Sequence, residues 1–293
     1  MPSELLDGLR RHDRRALARL ITLAARGQNI DAIRNKLGPP SSRARVIAIT
    51  GSAGVGKSTL VGKLIEQLRQ HGKSVAVLAC DPQSPLTGGA LLGDRFRMGA
   101  ASDDAGVFIR SLAAASGRQA VADHLDTVIL LCEHFGFDFV FIETVGAGQG
   151  DTAFHSLADA VVLLLQPETG DDLQWEKAGV LEVADVIVIH KADLSGADKA
   201  AAQVKAALDL AGGREVPVLL ASSRTGAGMK ELAALLESLP TRARNGGAAA
   251  ELLFLVQQEL AARFRRPDID SLAADWQAGR ISTREALRQV LKD

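Results

Sequence analysis

Eight consecutive residues, Gly51-Ser52-Ala53-Gly54-Val55-Gly56-Lys57-Ser58, have the chemistry needed to hold a chain of phosphates. They match the phosphate-loop pattern G-x-x-x-x-G-K-[ST] at every fixed position. Glycines let the backbone wrap tightly, so that N–H groups point inward at phosphate oxygens. The helix that opens at the loop's end adds partial positive charge. Lys57 is placed to reach the outer phosphates and the Ser58 hydroxyl to ligate Mg²⁺, with Thr59 completing the nucleotide-binding stretch.

Three carboxylates downstream have the spacing of a switch around that ion. Asp81 ends an apolar strand, Val75 to Ala79, and a carboxylate there can hold Mg²⁺ directly or through water. The Gly-rich loop that follows carries a second candidate ligand, Asp94. Glu143 ends the strand Phe137–Ile142 and is followed by Gly146, whose N–H can contact a γ-phosphate and lose that contact on hydrolysis. Ala147 stands where small signalling GTPases carry the water-orienting Gln, which predicts slow unassisted hydrolysis; Gln149 lies two residues further on. The catalytic set is therefore Lys57, Glu143, Gly146 and Gln149, and the metal set Ser58, Asp81, Asp94 and Glu143.

Base recognition falls to His190-Lys191-Ala192-Asp193, where G proteins carry N-K-x-D. Asp193 can accept from the ring N–H and exocyclic amine of guanine. Adenine offers neither and would leave the carboxylate unpaired. Lys191 is placed to stack its stem over the base. His190 stands in place of Asn, which predicts loss of the amide that ties neighbouring loops together. Ser222 and Ser223 follow the last strand, where a base-capping loop belongs.

These residues need strands to end beside one another. From Arg45 onward the chain alternates short apolar strands with helices. The strands are Arg45–Thr50, Val75–Ala79, Phe137–Ile142, Ala160–Leu165, Val186–Ile189 and Val218–Leu220. Strands so uniformly apolar belong to a parallel sheet covered on both faces, with ligands at the carboxyl ends. The predicted class is α/β: a P-loop NTPase with a mostly parallel sheet, helices on both faces, and N- and C-terminal helical extensions. Gly38-Pro39-Pro40-Ser41-Ser42 and residues 241–248 read as linkers. They divide the chain into an extension over 1–43, read as helical over residues 3–37, a nucleotide domain over 44–240 and a C-terminal helical arm over 241–293. Gly117–Phe135 reads as one helix, and Ser282-Thr283-Arg284-Glu285 as a capping box for the last.

Bulk properties exclude several classes. With 34 basic and 35 acidic residues, no global field draws the chain to nucleic acid or anionic lipid. Aromatics at 4%, with no Tyr, argue against base-stacking platforms. The early charges Arg10, Arg11, Asp13, Arg14 and Arg15 do not fit a secretory signal, and no apolar run is long enough to span a bilayer. Cys80 and Cys132 lie in apolar segments as buried thiols, and the expected location is cytoplasmic.

The motifs together resemble the MeaB/ArgK family of P-loop GTPases, chaperones of adenosylcobalamin-dependent acyl-CoA mutases such as methylmalonyl-CoA mutase. Asp81-Pro82-Gln83-Ser84-Pro85 with Thr87-Gly88-Gly89 and Leu92-Gly93-Asp94-Arg95 is similar to the family's D-P-S-S-P-x-T-G-G-x-x-L-G-D-[KR]. Phe108-Ile109-Arg110 resembles its F-I-R, and Glu143-Thr144-Val145-Gly146-Ala147-Gly148-Gln149 its E-T-V-G-V-G-Q. Gly170-Asp171-Asp172-Leu173-Gln174 with Lys177 resembles G-D-E-L-Q-x-x-K, and Arg263-Phe264-Arg265 the family's dimerising tail. The resemblance implies GTP and GDP with Mg²⁺ as ligands, and Asp171 with Lys177 as a partner-sensing switch. It also implies a homodimer and an acyl-CoA mutase partner that carries its own cobalamin. A nucleotide-dependent protein kinase and a metal-centre maturation GTPase are the alternatives. The kinase has no catalytic-loop signature here, and six scattered His with two Cys do not make a metal tract.

Overall fold

A computed structural model describes residues 2–82, 104–114, 124–144, 154, 156–167, 183–210, 215–242 and 269–290. The elements in chain order are α1 (Pro2–Arg10), α2 (Arg14–Ala25), α3 (Ile30–Leu37), β1 (Arg45–Gly51), α4 (Lys57–Gln70), β2 (Val75–Pro82), β3 (Val107–Ala114) and α5 (Leu125–Phe135). They continue with β4 (Phe139–Glu143), β5 (Ala160–Leu165), β6 (Val186–His190), α6 (Ala197–Leu210), β7 (Val218–Ala221), α7 (Met229–Ser238), α8 (Ile269–Gln277) and α9 (Thr283–Val290).

Seven strands form one sheet in the order β3-β2-β4-β1-β5-β6-β7, and every pairing is parallel. The side-chain period of two sorts each strand's residues between two covered faces. Val46 and Ala48 of β1 join Ala76, Leu78, Val140 and Ile142 beneath α1, α2 and α5. Ile47 and Ile49 join Val77, Phe141, Val162 and Leu164 beneath α4 and α7. A third cluster packs α6 on Leu163, Leu165, Ile187 and Ile189. Both cysteines are buried as thiols, and burial pushes the Cys132 thiol strongly up.

Residues 3–37, read as helical, are covered by three helices. Asp13 caps α2 by accepting from the Arg15 N–H at 2.8 Å, and the chain reverses before it at His12, whose φ is +57°. Asn29 turns into α3 with φ +60°. These helices pack directly on the sheet: Leu6, Leu9, Leu17, Leu20 and Ile21 are buried with the sheet residues above. At about 1.5–3 kcal/mol for each fully buried side chain, that face is too costly to expose. The segment is thus one covering layer of the nucleotide-domain sheet.

Strand β3 is absent from the sequence reading. It occupies the sheet edge, paired to β2 from Val75↔Val107 to Pro82↔Ala114. Arg110 and Ser111 interrupt its apolar run, and that polarity hid it. Arg69 fixes its start through two bonds to the Asp104 carboxylate, at 2.9 and 3.0 Å. The sequence predicts a helix over Gly117–Phe135; α5 starts at Leu125, and residues 115–123 lie outside the described ones.

Residues Met1–Arg244 form one compact unit and Asn245–Asp293 another. In the second unit the expected capping box is present. Ser282 Oγ and the Ser282 N–H both donate to Glu285 Oε2, at 2.8 and 3.0 Å, and the Glu285 N–H returns a bond to Ser282 Oγ at 3.2 Å.

Candidate nucleotide site

The carboxyl ends of β1, β4 and β6 surround a cavity of about 870 Å³. Its lining draws on Gly54, Lys57, Ser58, Glu143, His190, Asp193 and Ser222 among others. The phosphate loop emerges from β1, which pairs with β4 on one side and β5 on the other. At Gly51 a Cβ would come within 2.5 Å of the Leu164 carbonyl on β5, so only glycine lets the loop leave the sheet there. Helix α4 starts at Lys57, and Gly56 before it has φ +99°.

Lys57 and Ser58 are buried, as is Glu143. The Lys57 ammonium donates to the carbonyls of Gly51 at 2.9 Å and Ser52 at 3.3 Å, which holds it over the loop. The Ser58 hydroxyl donates to Glu143 Oε1 at 2.5 Å. Register explains that meeting: Glu143 stands beside Ile49 on β1, two residues before the loop begins. Ala79 stands beside Glu143 on the other side, so Asp81 extends β2 two residues further. The Asp81 side chain lies outside the described residues, as do Asp94, Gly146, Gln149, Asp171 and Lys177.

At the other end of the cavity the structure corrects the reading of His190. The imidazole ties the loops that an amide was expected to tie. Nδ1 lies 2.7 Å from the Val55 carbonyl in the phosphate loop, and Nε2 lies 2.8 Å from Ser223 Oγ. A carbonyl only accepts, so Nδ1 carries the proton and Nε2 accepts from the serine. Nitrogens on opposite sides of one ring span the gap between the two loops. The ring also packs on Gly56, where a Cβ would approach it to 2.6 Å. Burial lowers the His190 pKa, against the Val55 hydrogen bond that raises it, and the buried imidazole is favoured in its neutral form.

Lys191 adds a second tie. Its ammonium donates to the Gly54 carbonyl at 3.1 Å and to Gln166 Oε1 at 2.8 Å. Asp193 accepts from the Ser222 hydroxyl on Oδ1 and pairs through Oδ2 with the Arg224 guanidinium. The Ser222 hydrogen bond first, and Arg224 after it, hold the carboxyl below the usual carboxylate range. Gln166 and Arg224 were missed in the sequence. Gln166 directly follows the strand Ala160–Leu165, so the rule that places ligands at strand ends could have found it. Arg224 follows Ser222-Ser223 by one residue but matches no motif.

This assembly of loops has relatives. The family model for the methylmalonyl-CoA mutase-associated GTPase MeaB matches residues 17–264. The chain belongs to the MeaB family. A Pyrococcus horikoshii protein bearing a provisional GTPase name is 43% identical over 236 residues, 78% of this chain and 74% of that one. A fused isobutyryl-CoA mutase of Cupriavidus metallidurans is 39% identical over 200 residues, 67% of this chain and 18% of that protein. Among solved structures, an LAO/AO transport system kinase superposes with a TM-score of 0.70 at 25% identity, covering 99% of this chain and 96% of that one. As a member of the MeaB family with this P-loop fold, the chain is a GTPase and binds guanine nucleotide. Among the described residues no helix is long and apolar enough to cross a membrane.

Proposed function

We propose that the cavity holds GTP or GDP with the phosphates on Gly51–Thr59 and the base against His190, Lys191, Asp193, Ser222 and Ser223. One observation carries this reading. The Ser58 hydroxyl and the Glu143 carboxylate, 85 residues apart in the chain, meet at 2.5 Å at the start of the helix that Lys57 opens. Lys57 supplies charge to the outer phosphates and stabilises what develops on them in hydrolysis.

The Ser58–Glu143 oxygens fit Mg²⁺, a hard cation that binds one or two protein oxygens and takes its remaining ligands from phosphate and water. Ser58 and Glu143 would hold it, with Asp81 and Asp94 as further candidates; the ion's contribution is to neutralise phosphate charge. Gly146 and Gln149 are the candidates for sensing the γ-phosphate and orienting water.

The same reading makes the protein a switch that gates cofactor loading of an adenosylcobalamin-dependent acyl-CoA mutase and protects or reactivates it. Membership of a mutase-associated family supports this, as does a relative whose name is that of a fused mutase. Asp171 and Lys177 would relay the nucleotide state, and residues 241–293 would form the arm of a homodimer. A switch works only through different affinities for its partner in its two states. The test is binding of the full chain to a purified mutase of this class with a non-hydrolysable GTP analogue and with GDP. Different affinities and mutase-stimulated phosphate release are expected; equal affinities in both states sink the switch. The likeness to a transport system kinase favours a second reading, phosphoryl transfer to a protein. Label from γ-labelled GTP appears as inorganic phosphate in the first case and on protein in the second.

A further inference from the structure

Both oxygens of the Asp193 carboxylate are engaged from within the chain. Oδ1 accepts the Ser222 hydroxyl and Oδ2 the Arg224 guanidinium. A guanine edge presents two N–H donors to the same carboxylate, so it competes with these occupants for the oxygens' lone pairs, and an occupant standing in the cavity must give way. The two are not equally able to do so. Ser222 sits in a tight turn, its N–H bonded to the Ala227 carbonyl and its carbonyl to the Gly226 N–H, both at 2.9 Å. The Arg224 side chain is 73% exposed against 12% for Asp193, so it can withdraw into water with little loss of packing.

We propose that Arg224 guards the base subsite: its guanidinium stands in for guanine on Asp193 and is exchanged for the base when a nucleotide seats. This rests on the nucleotide reading above and adds a residue that reading does not contain. The chemistry of the exchange is one N–H donor for another. A guanidinium carries donors and no acceptor, as does the part of guanine that faces a carboxylate. A base without donors at that edge cannot replace what it displaces, and the oxygen that Arg224 vacates is left unpaired. Arg224 lines the same cavity as Lys57, Glu143 and Asp193, so it stands on the path of the base and not on a remote surface. The guard acts before the base is read. It therefore scales apparent affinity by the fraction of molecules in which it is open, equally for all bases that must displace it.

The experiment follows mant-GDP binding to the full chain by stopped-flow fluorescence, with IDP and GDP as competitors. Arg224→Ala is expected to speed association and tighten GDP binding about twofold to sixfold at low salt. The gain should shrink as salt rises, because the pair is exposed on one side. IDP should gain by the same factor as GDP. In an Asp193→Asn background, where the ion pair no longer exists, Arg224→Ala should change nothing. Arg224→Lys, which keeps the charge and loses the planar fork, should fall between. The guard is overturned if Arg224→Ala binds GDP no faster and no tighter, or more weakly, as it would were the guanidinium a nucleotide contact. If neither wild type nor the variant binds mant-GDP while both are folded by circular dichroism, the nucleotide reading falls instead.

Discussion

At the phosphate end of the cavity, position is set by backbone. Strand β1 is paired on both sides, Gly51 leaves it against a neighbouring carbonyl, and Glu143 is the last residue of an adjacent strand. At the base end, position is set by side chains reaching between loops: His190 to Val55 and Ser223, Lys191 to Gly54 and Gln166, Arg224 to Asp193. Geometry carried by a sheet survives the loss of a single side chain, whereas geometry carried by side-chain ties is weakened by each tie lost. The two ends therefore should fail differently when altered.

The largest effect should come from the phosphate end. Lys57→Ala is expected to lower GTP turnover by about a hundredfold or more, as loss of a preorganised charge does, while the fold survives. Phosphate release and a thermal melt check both halves of that statement, and retained turnover would break the comparison. Next is Asp193→Asn. It should erase most of the preference for GDP over IDP, roughly tenfold to a hundredfold, by the worth of a hydrogen bond to a charged group. Competition binding reads it, and an unchanged ratio would remove Asp193 from base recognition.

His190→Ala should weaken nucleotide binding by about tenfold, since both the phosphate loop and the Ser223 loop lose a buried hydrogen bond. His190→Asn should recover part of it. The histidine also brings a pH signature. Its folded pKa lies below the unfolded value of 6.5, so the unfolded chain binds the proton more readily. Stability is full above that value and is lost as pH falls from about 6.5 toward the folded pKa. Denaturant midpoints should fall more steeply with acid in wild type than in His190→Asn, and identical slopes would count against the buried neutral imidazole.

The smallest effect is expected far from the cavity in sequence, at the capping box. The Ser282 N–H first, and its hydroxyl second, lower the Glu285 pKa. The carboxylate thus supports the cap at neutral pH, and that support is lost as pH falls through its lowered value. Glu285→Gln should speed amide exchange in the first turn of α9 several-fold at neutral pH and make little difference in strong acid. Nucleotide affinity should not change, and a measured change would couple the second unit to the cavity.

Legibility in the sequence follows the same division. The phosphate loop was readable because its roles are carried by residue types at fixed short spacing, and the strands because each is a short apolar run. Ser282–Glu285 was readable because a cap needs only four consecutive residues. Strand β3 escaped because Arg110 and Ser111 break its apolar run, and Arg110 is accommodated by a bond donated to the Thr22 hydroxyl, 88 residues earlier. His190 was misjudged because the sequence shows a replaced amide and not the distances the ring spans. Arg224 was invisible because its role depends on the proximity of Asp193, 31 positions earlier in the chain.

By itself the amino-acid order determined the class of fold, the family and the residues that could meet a phosphate. Hydrophobic period and glycine placement are local properties, and they propagate without knowledge of the remainder of the chain. Tertiary structure alone decided that Ser58 faces Glu143, that an imidazole ties the two loops, and that a guanidinium rests on the Asp193 carboxylate. Each of these is a contact across tens of residues, set by which strands lie side by side, and strand order is a choice the whole core makes at once.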